Sequence, residues 1–229
     1  MRSKVAAMNS NGITISPRVD PFAPGIQALG GIASSIVGDV MGRLSGTTGL
    51  RPVNRSTVAV CGNAFTVRVR AGDNLLIHRA LEMLEPGDVL VVDGEGDVTR
   101  ALVGEIMMTS ARVAGALGFV IDGAVRDVDA FEQHRFPCWS RGVSLRGPYK
   151  DGPGSINEPV TVGGMLVHPG DVIVGDGDGV VAVRPAEAMD VAKAAREKLA
   201  QEQATIQAIL DGKYSSAWVH TALKQKGVA

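Results

Sequence analysis

Aromatic residues are scarce in this 229-residue chain, at 4%. A core built around large rings is excluded, so it has to come from Val, Ile, Leu, Ala and Met. Cysteine is nearly absent. Cys61 and Cys138 lie far apart, and neither belongs to a C-x-x-C pair, which excludes a thiolate zinc site of the usual spacing. Each reads as a buried, reduced thiol of a cytosolic protein. No sign of charge dominates: 23 Lys and Arg face 24 Asp and Glu. The basic field that would gather nucleic acid or an anionic membrane is therefore missing. No apolar run approaches the roughly 20 residues of a membrane span. Arg2 and Lys4 precede no apolar segment of a signal peptide. The expectation is a cytoplasmic protein with neither nucleic acid nor membrane among its partners.

Several catalytic signatures are missing too. There is no G-x-S-x-G elbow for a serine nucleophile. Gly212-Lys213 is followed by Tyr214 and lacks the upstream glycine of a phosphate-binding loop. The alternating glycines of 175–179 precede a strand, so no helix N-terminus is there to hold a pyrophosphate. The same stretch lacks the rest of a calcium loop. His78, His134, His168 and His220 are scattered, with no pair at ligand spacing. His134 and His220 read as surface residues. His78, on the helix that Gly72-Asp73-Asn74 introduces, could face a cleft.

What the chain does contain is glycine, 29 residues of it, and aliphatic periodicity. Ile26, Leu29, Ile32, Ile36, Val37, Val40, Met41 and Leu44 recur at three- and four-residue steps, a helical stripe that Gly46 and Gly49 end. Val58 and Val60 alternate before Gly62-Asn63, and Phe65, Val67 and Val69 alternate after it, as strands do. A helix is expected over 74–84. Val89-Leu90-Val91-Val92 and Phe119-Val120-Ile121 read as buried strands, with a helix over 100–114 between them and a short helix from Asp127. Short strands are expected near 138–144, 161–167, 171–174 and 179–183. An Ala-rich helix over 185–211 stops at Gly212. PGDVLVVDGEG (86–96) and PGDVIVGDGDG (169–179) repeat one another and read as the same local hairpin chemistry. The result is a single mixed α/β domain over 25–212, with an N-terminal arm (1–24) and a C-terminal tail (213–229).

The positive chemical signal lies between Asp93 and Asp129. One buried strand ends in Asp93-Gly94-Glu95-Gly96-Asp97. The next ends at Asp122-Gly123, shortly before Arg126-Asp127. Ligands gather beyond strand ends in α/β folds. Carboxylates suit a hard cation such as Mg²⁺, and a guanidinium can grip a carboxylate or offset enolate charge. Asp127 is equally a plausible helix N-cap and Arg126 a surface charge.

Gly104-Glu105, twenty residues and then Arg126-Asp127 make a G-E-x20-R-D spacing. This resembles the signature of the class II pyruvate aldolases of the RraA-like superfamily. Supporting stretches are GDNLLIH (72–78), PGDVLVVDGEGD (86–97), GFVIDGAVRDVDAF (118–131), FPCWSRG (136–142) and GGMLVHPGDVIVGDGDGVV (163–181). The resemblance implies a swivelling β/β/α fold (phosphohistidine-domain-like), assembly into homotrimers or homohexamers, and a site between subunits. It implies that Asp127 binds Mg²⁺ or Mn²⁺ directly, and that Glu105 reaches the ion through water. Glu202 of the adjacent subunit would do the same, with Glu197 the weaker match. Arg126 would contact the substrate carbonyl and stabilise an enolate. The segment Gly104, Glu105, Ile106 and Met107 would hold the substrate carboxylate on its backbone amides. The implied reaction is cleavage of a 4-hydroxy-2-oxo diacid to pyruvate and a 2-oxo acid, with oxaloacetate decarboxylation through the same pyruvate enolate. A metal-bound water of lowered pKa can act as base. No Schiff-base lysine is needed, and residues 86–131 contain no Lys. The superfamily also includes non-enzymatic regulators that bind ribonuclease E, in which the residue after the Arg is not Asp. A methyltransferase label also attached to the family finds no glycine-rich cofactor loop here.

Overall fold

A computed structural model describes residues 11–56 and 58–228. Arg2 and Lys4 lie outside the described residues. In chain order the elements begin with β1 (Ile13–Ile15), α1 (Ala23–Leu29), α2 (Ser34–Val40), β2 (Arg51–Pro52), β3 (Val60–Val69) and α3 (Leu75–Leu81). Then come β4 (Asp88–Asp93), β5 (Ala101–Val103), α4 (Glu105–Val113), β6 (Gly118–Val125), α5 (Val128–Gln133) and β7 (Cys138–Val143). The chain closes with β8 (Gly154–Ile156), β9 (Val160–Val162), β10 (Met165–Val167), β11 (Val172–Gly175), β12 (Val180–Val183), α6 (Ala188–Leu210) and α7 (Ala217–Gln225).

The centre is a parallel run, β3-β4-β6-β7, with β8 and β1 beyond β3 and β2 beyond β7. Every residue of β6 is buried, and β4 is buried up to its last residue. That is why Val89–Val92 and Phe119–Ile121 read as unbroken apolar runs: a parallel sheet is covered on both faces. Side chains alternate between those faces. Leu90, Val92, Phe119 and Ile121 pack with Leu76 and Ile77 of α3, Met107 and Met108 of α4, and Phe131 of α5. Val89, Val91 and Val120 turn the other way, toward Trp139 and the β9–β10 ribbon. A third cluster joins α1, α2 and the first part of α6 to β11 and β12.

Several local expectations are corrected. The stripe over 26–44 is two short helices, because Gly30 is extended and Gly31 adopts φ 78. Gly62-Asn63 does not interrupt a strand. β3 runs through it, and Gly62 is small because the Gly87 carbonyl and Leu117 press on it. Ala101–Val103, expected as helix, is a strand paired in parallel with β6, so the helix begins only at Glu105. Residues 161–167 are two strands, β9 and β10. Gly163 and Gly164 both have positive φ and make the two-residue hairpin turn between them. Of the two repeated stretches, β11 does form a hairpin with β12, whereas β4 lies parallel between β3 and β6.

Residues 13–18 are fastened to the sheet. β1 pairs with β8, and Arg18 grips the buried Asp88 with two hydrogen bonds of 2.7 and 2.8 Å. Cys138 is fully buried. Cys61 is only partly buried, its thiol donating to the Ile26 carbonyl, and burial pushes its pKa up to about 11. The two tryptophans differ sharply. Trp139 is 1% exposed and donates to the Asp176 carbonyl, whereas Trp218 on α7 is 65% exposed. α7 has no buried residue, and beyond residue 200 neither does α6. Ile206, Ile209 and Leu210 accordingly stand in solvent. Among the described residues no helix is long and apolar enough to cross a membrane.

Candidate active site

β6 ends at Val125, and the chain then turns through Arg126 and Asp127 into α5. Asp127 adopts φ 57 and ψ 43, the left-handed region. A non-glycine residue rarely sits there, and such strain concentrates at functional positions. Asp127 occupies the N-cap position of α5 but makes no side-chain cap there. Its Oδ2 instead accepts the Glu105 N–H at 3.0 Å, at the start of α4. A carboxylate here meets the positive end of a helix. Arg126 is held by its backbone N–H on the Val103 carbonyl, and its Nε lies 3.7 Å from Asp127 Oδ2. Both side chains are close to half exposed.

Gly104 is the hinge of this arrangement. A Cβ there would run into Asp127 Oδ2 and press on Arg126. Its backbone is extended, so the requirement is for space and not for an unusual φ. Gly104→Ala is expected to cost about 1–3 kcal/mol, as overpacked sites do. Chemical denaturation measures this, and wild-type stability would mean that Asp127 is not pinned against Gly104.

These residues line a cleft of about 160 Å³ with Asn74 at the N-cap of α3, His78 in its last turn, Ala101–Val103, Ile106, Met107, Pro148 and Lys150. Asn74 Nδ2 donates to the Leu102 carbonyl and joins α3 to β5. The first amides of α4, at Ile106 and Met107, have no carbonyl one turn back. Partial burial, then the nearby Lys150 charge, hold the His78 pKa below its ordinary value. His78 is thus neutral near neutral pH and can accept a hydrogen bond. Larger grooves lie beside α2 and beside β1. Neither joins a guanidinium and a carboxylate to the start of a helix of α4's length.

Of the residues singled out from the sequence, Gly104, Ile106, Met107, Arg126, Asp127 and His78 line this one cleft. Glu105 is exposed beside it and contributes its N–H. The acids at the strand ends do not converge. Asp93 faces Arg68, Asp97 caps Thr99, and Asp122 binds Arg141 and the Gly163 N–H. Glu202 does not line the cleft within its own chain. It pairs with Lys198 at 2.9 Å, beside Asp39. Glu197 is not among the lining residues either. Lys150, Asn74 and Pro148 were not anticipated. His134 lies against Arg112 and His220 is exposed.

A hard divalent cation fits this donor set. Asp127 is half exposed, and only its Oδ2 is engaged by the Glu105 amide. Among the described residues no three His, Cys, Asp or Glu gather into a cage. An ion at Asp127 would therefore take few protein oxygens and complete its shell with water and ligand, as Mg²⁺ does.

The RraA-like family profile, described as Aldolase/RraA, matches residues 34–182. A Halalkalibacterium halodurans protein provisionally named 4-hydroxy-4-methyl-2-oxoglutarate aldolase is 39% identical over 181 residues, covering 79% of this chain and 86% of the relative. A crystal structure of an uncharacterised Pseudomonas syringae protein superposes with a TM-score of 0.76 at 25% identity, over 87% of this chain and 96% of that one. Streptomyces coelicolor RraAS2, described as an unusual member of the RNase ES inhibitor RraA family, superposes with a TM-score of 0.73 at 26% identity, over 82% and 97%. With the profile covering more than half of its length and so similar a relative, the chain belongs to the RraA-like aldolase family.

Proposed function

We propose that this protein is a divalent-metal-dependent carbon–carbon lyase. Its substrate would be a 4-hydroxy-2-oxo diacid, cleaved to pyruvate and a second 2-oxo acid, with oxaloacetate decarboxylated at the same site. The observation that carries the reading is the strained Asp127, its carboxylate drawn to the start of α4 beside Arg126 in one small cleft. The resemblance of the aldolase relative supports the substrate class.

Asp127 would hold Mg²⁺ or Mn²⁺, with Glu105 acting through water. When bound, the ion would supply Lewis-acid polarisation of the 2-oxo group. The amides opening α4 would bind the adjacent carboxylate, since unsatisfied N–H groups at a helix start favour an anion. In either reaction the C3–C4 bond breaks and its electron pair moves into a C2–C3 enolate. Carbon 4 leaves as CO₂ from oxaloacetate, or as a carbonyl once the C4 hydroxyl loses its proton. Arg126 would face the enolate oxygen and offset the charge that develops there. Protonation at C3 then gives pyruvate.

We infer further that Glu202 serves the site of a neighbouring subunit in a homotrimer or homohexamer. Its absence from the lining of its own cleft supports this, as do the apolar side chains left in solvent on α6 and α7. The swivelling β/β/α description of the fold belongs to the same reading.

The test is pyruvate release from oxaloacetate. It is expected with Mn²⁺ or Mg²⁺ and lost on addition of EDTA. Undiminished release after chelation would overturn the metal-dependent reading. The likeness to RraAS2 favours a second reading, a non-enzymatic regulator that binds ribonuclease E. That reading requires capture of the nuclease by a protein that releases no pyruvate.

A further inference from the structure

A groove of about 450 Å³ runs between the end of α2 and the first turn of α6. Val40, Met41 and Val191 give it half-buried apolar walls, and Glu187 and Asp190 line it as exposed acids. Neither acid is paired with a cation among the described residues. Beside the lining residues in sequence, Leu44 is 95% and Met189 51% exposed.

α7 has the complementary character. From Lys213 onward the chain carries three lysines and no acid. Lys213 is paired with Asp211, but Lys224 and Lys226 have no acid partner among the described residues. Trp218 and Ala222 lie one turn apart, as do Val219 and Leu223, so the helix has an apolar side. That side leaves aromatic and aliphatic area in water, which burial would stabilise.

α7 cannot reach the groove of its own chain. The N–H groups of Lys213 and Tyr214 both bond to the Ala208 carbonyl, which folds the chain back on the end of α6. Only Ser215 and Ser216 lead from there into α7. The groove lies at the other end of α6, whose 23 residues extend roughly 34 Å. The partner that fits is therefore a second copy.

We propose that α7 of one subunit docks in the α2–α6 groove of the next, with Trp218 filling the apolar part and Lys224 and Lys226 facing Glu187 and Asp190. This rests on the self-assembly inferred for Glu202 and goes beyond it. Tail and groove are different surfaces, so the contact is head-to-tail, which generates a ring such as a trimer rather than a two-fold dimer.

Sedimentation velocity over a dilution series of the full chain tests this. Trp218→Ala, and separately Lys224→Glu with Lys226→Glu, should each raise the concentration at which the assembly dissociates by about tenfold or more. Both changes fall on a helix with no buried residue, so the core is untouched. Glu187→Lys with Asp190→Lys should weaken association likewise. A chain carrying all four charge reversals should regain most of the loss, a recovery that damaged folding could not produce. Wild-type dissociation in the α7 variants, or no recovery in the fourfold variant, would overturn the docking and leave the assembly itself standing. A wild-type chain that stays monomeric at every concentration would overturn both.

Discussion

Asp127→Asn will cut pyruvate release from oxaloacetate by about a thousandfold or more while leaving thermal stability nearly unchanged. The choice of asparagine matters. Asp127 holds the start of α4 through its Oδ2 and sits at φ 57. Asn retains an oxygen for the Glu105 N–H and tolerates the left-handed region, so the local frame survives. What disappears is the negative charge and the anionic oxygen that a hard cation needs. Alanine would remove the tether and occupy a costly conformation, mixing a folding defect with a chemical one. The measurement pairs steady-state kinetics at saturating Mn²⁺ with a melting curve and a Mn²⁺ titration. Affinity for Mn²⁺ should fall along with the rate. A variant within about tenfold of wild type would remove Asp127 from the reaction.

Arg126→Lys carries the second large effect, a fall in kcat of about a hundredfold or more with Mn²⁺ affinity unchanged. The lysine keeps the charge but loses the planar fork and its Nε donor. If Arg126 acts on charge that develops in the transition state, kcat and kcat/KM fall together. A rise in KM at constant kcat would instead make Arg126 a simple anchor for the ground-state acid. The backbone of Arg126 is secured independently on the Val103 carbonyl. The substitution should therefore leave Asp127 where it is, which the unchanged Mn²⁺ titration checks.

The parts of the fold legible in sequence were those whose pattern is local. Val89–Val92 of β4 and Phe119–Ile121 of β6 are unbroken apolar runs because both of their faces are covered, and α6 declares itself by an Ala-rich helical period with a glycine stop. Short elements were missed for a physical reason. Ala101–Val103 could serve a helix or a strand equally well, and only its pairing with β6 decides. The same holds for the site. Arg126, Asp127 and Gly104 were found because one strand-end spacing contains them. Lys150 was overlooked because it reaches the cleft through Asp73, whose partners Asp151 and Gly152 lie far along the chain. No local pattern announces such a bond. The acidic run from Asp93 to Asp122 misled in the opposite sense. Those carboxylates are adjacent in sequence logic, but each is committed to its own arginine, hydroxyl or amide.

The two tryptophans split the molecule optically. Trp139, sealed among β-sheet aliphatics and hydrogen-bonded to a carbonyl, emits from a dry environment as long as the core holds. Trp218 emits from water on a helix with no buried residue. The intrinsic fluorescence of the chain is therefore a sum of a blue component that follows folding and a red component that follows whatever touches the last helix. Anything that settles on α7 shifts the second and leaves the first alone, so the protein carries its own reporter for association at that end.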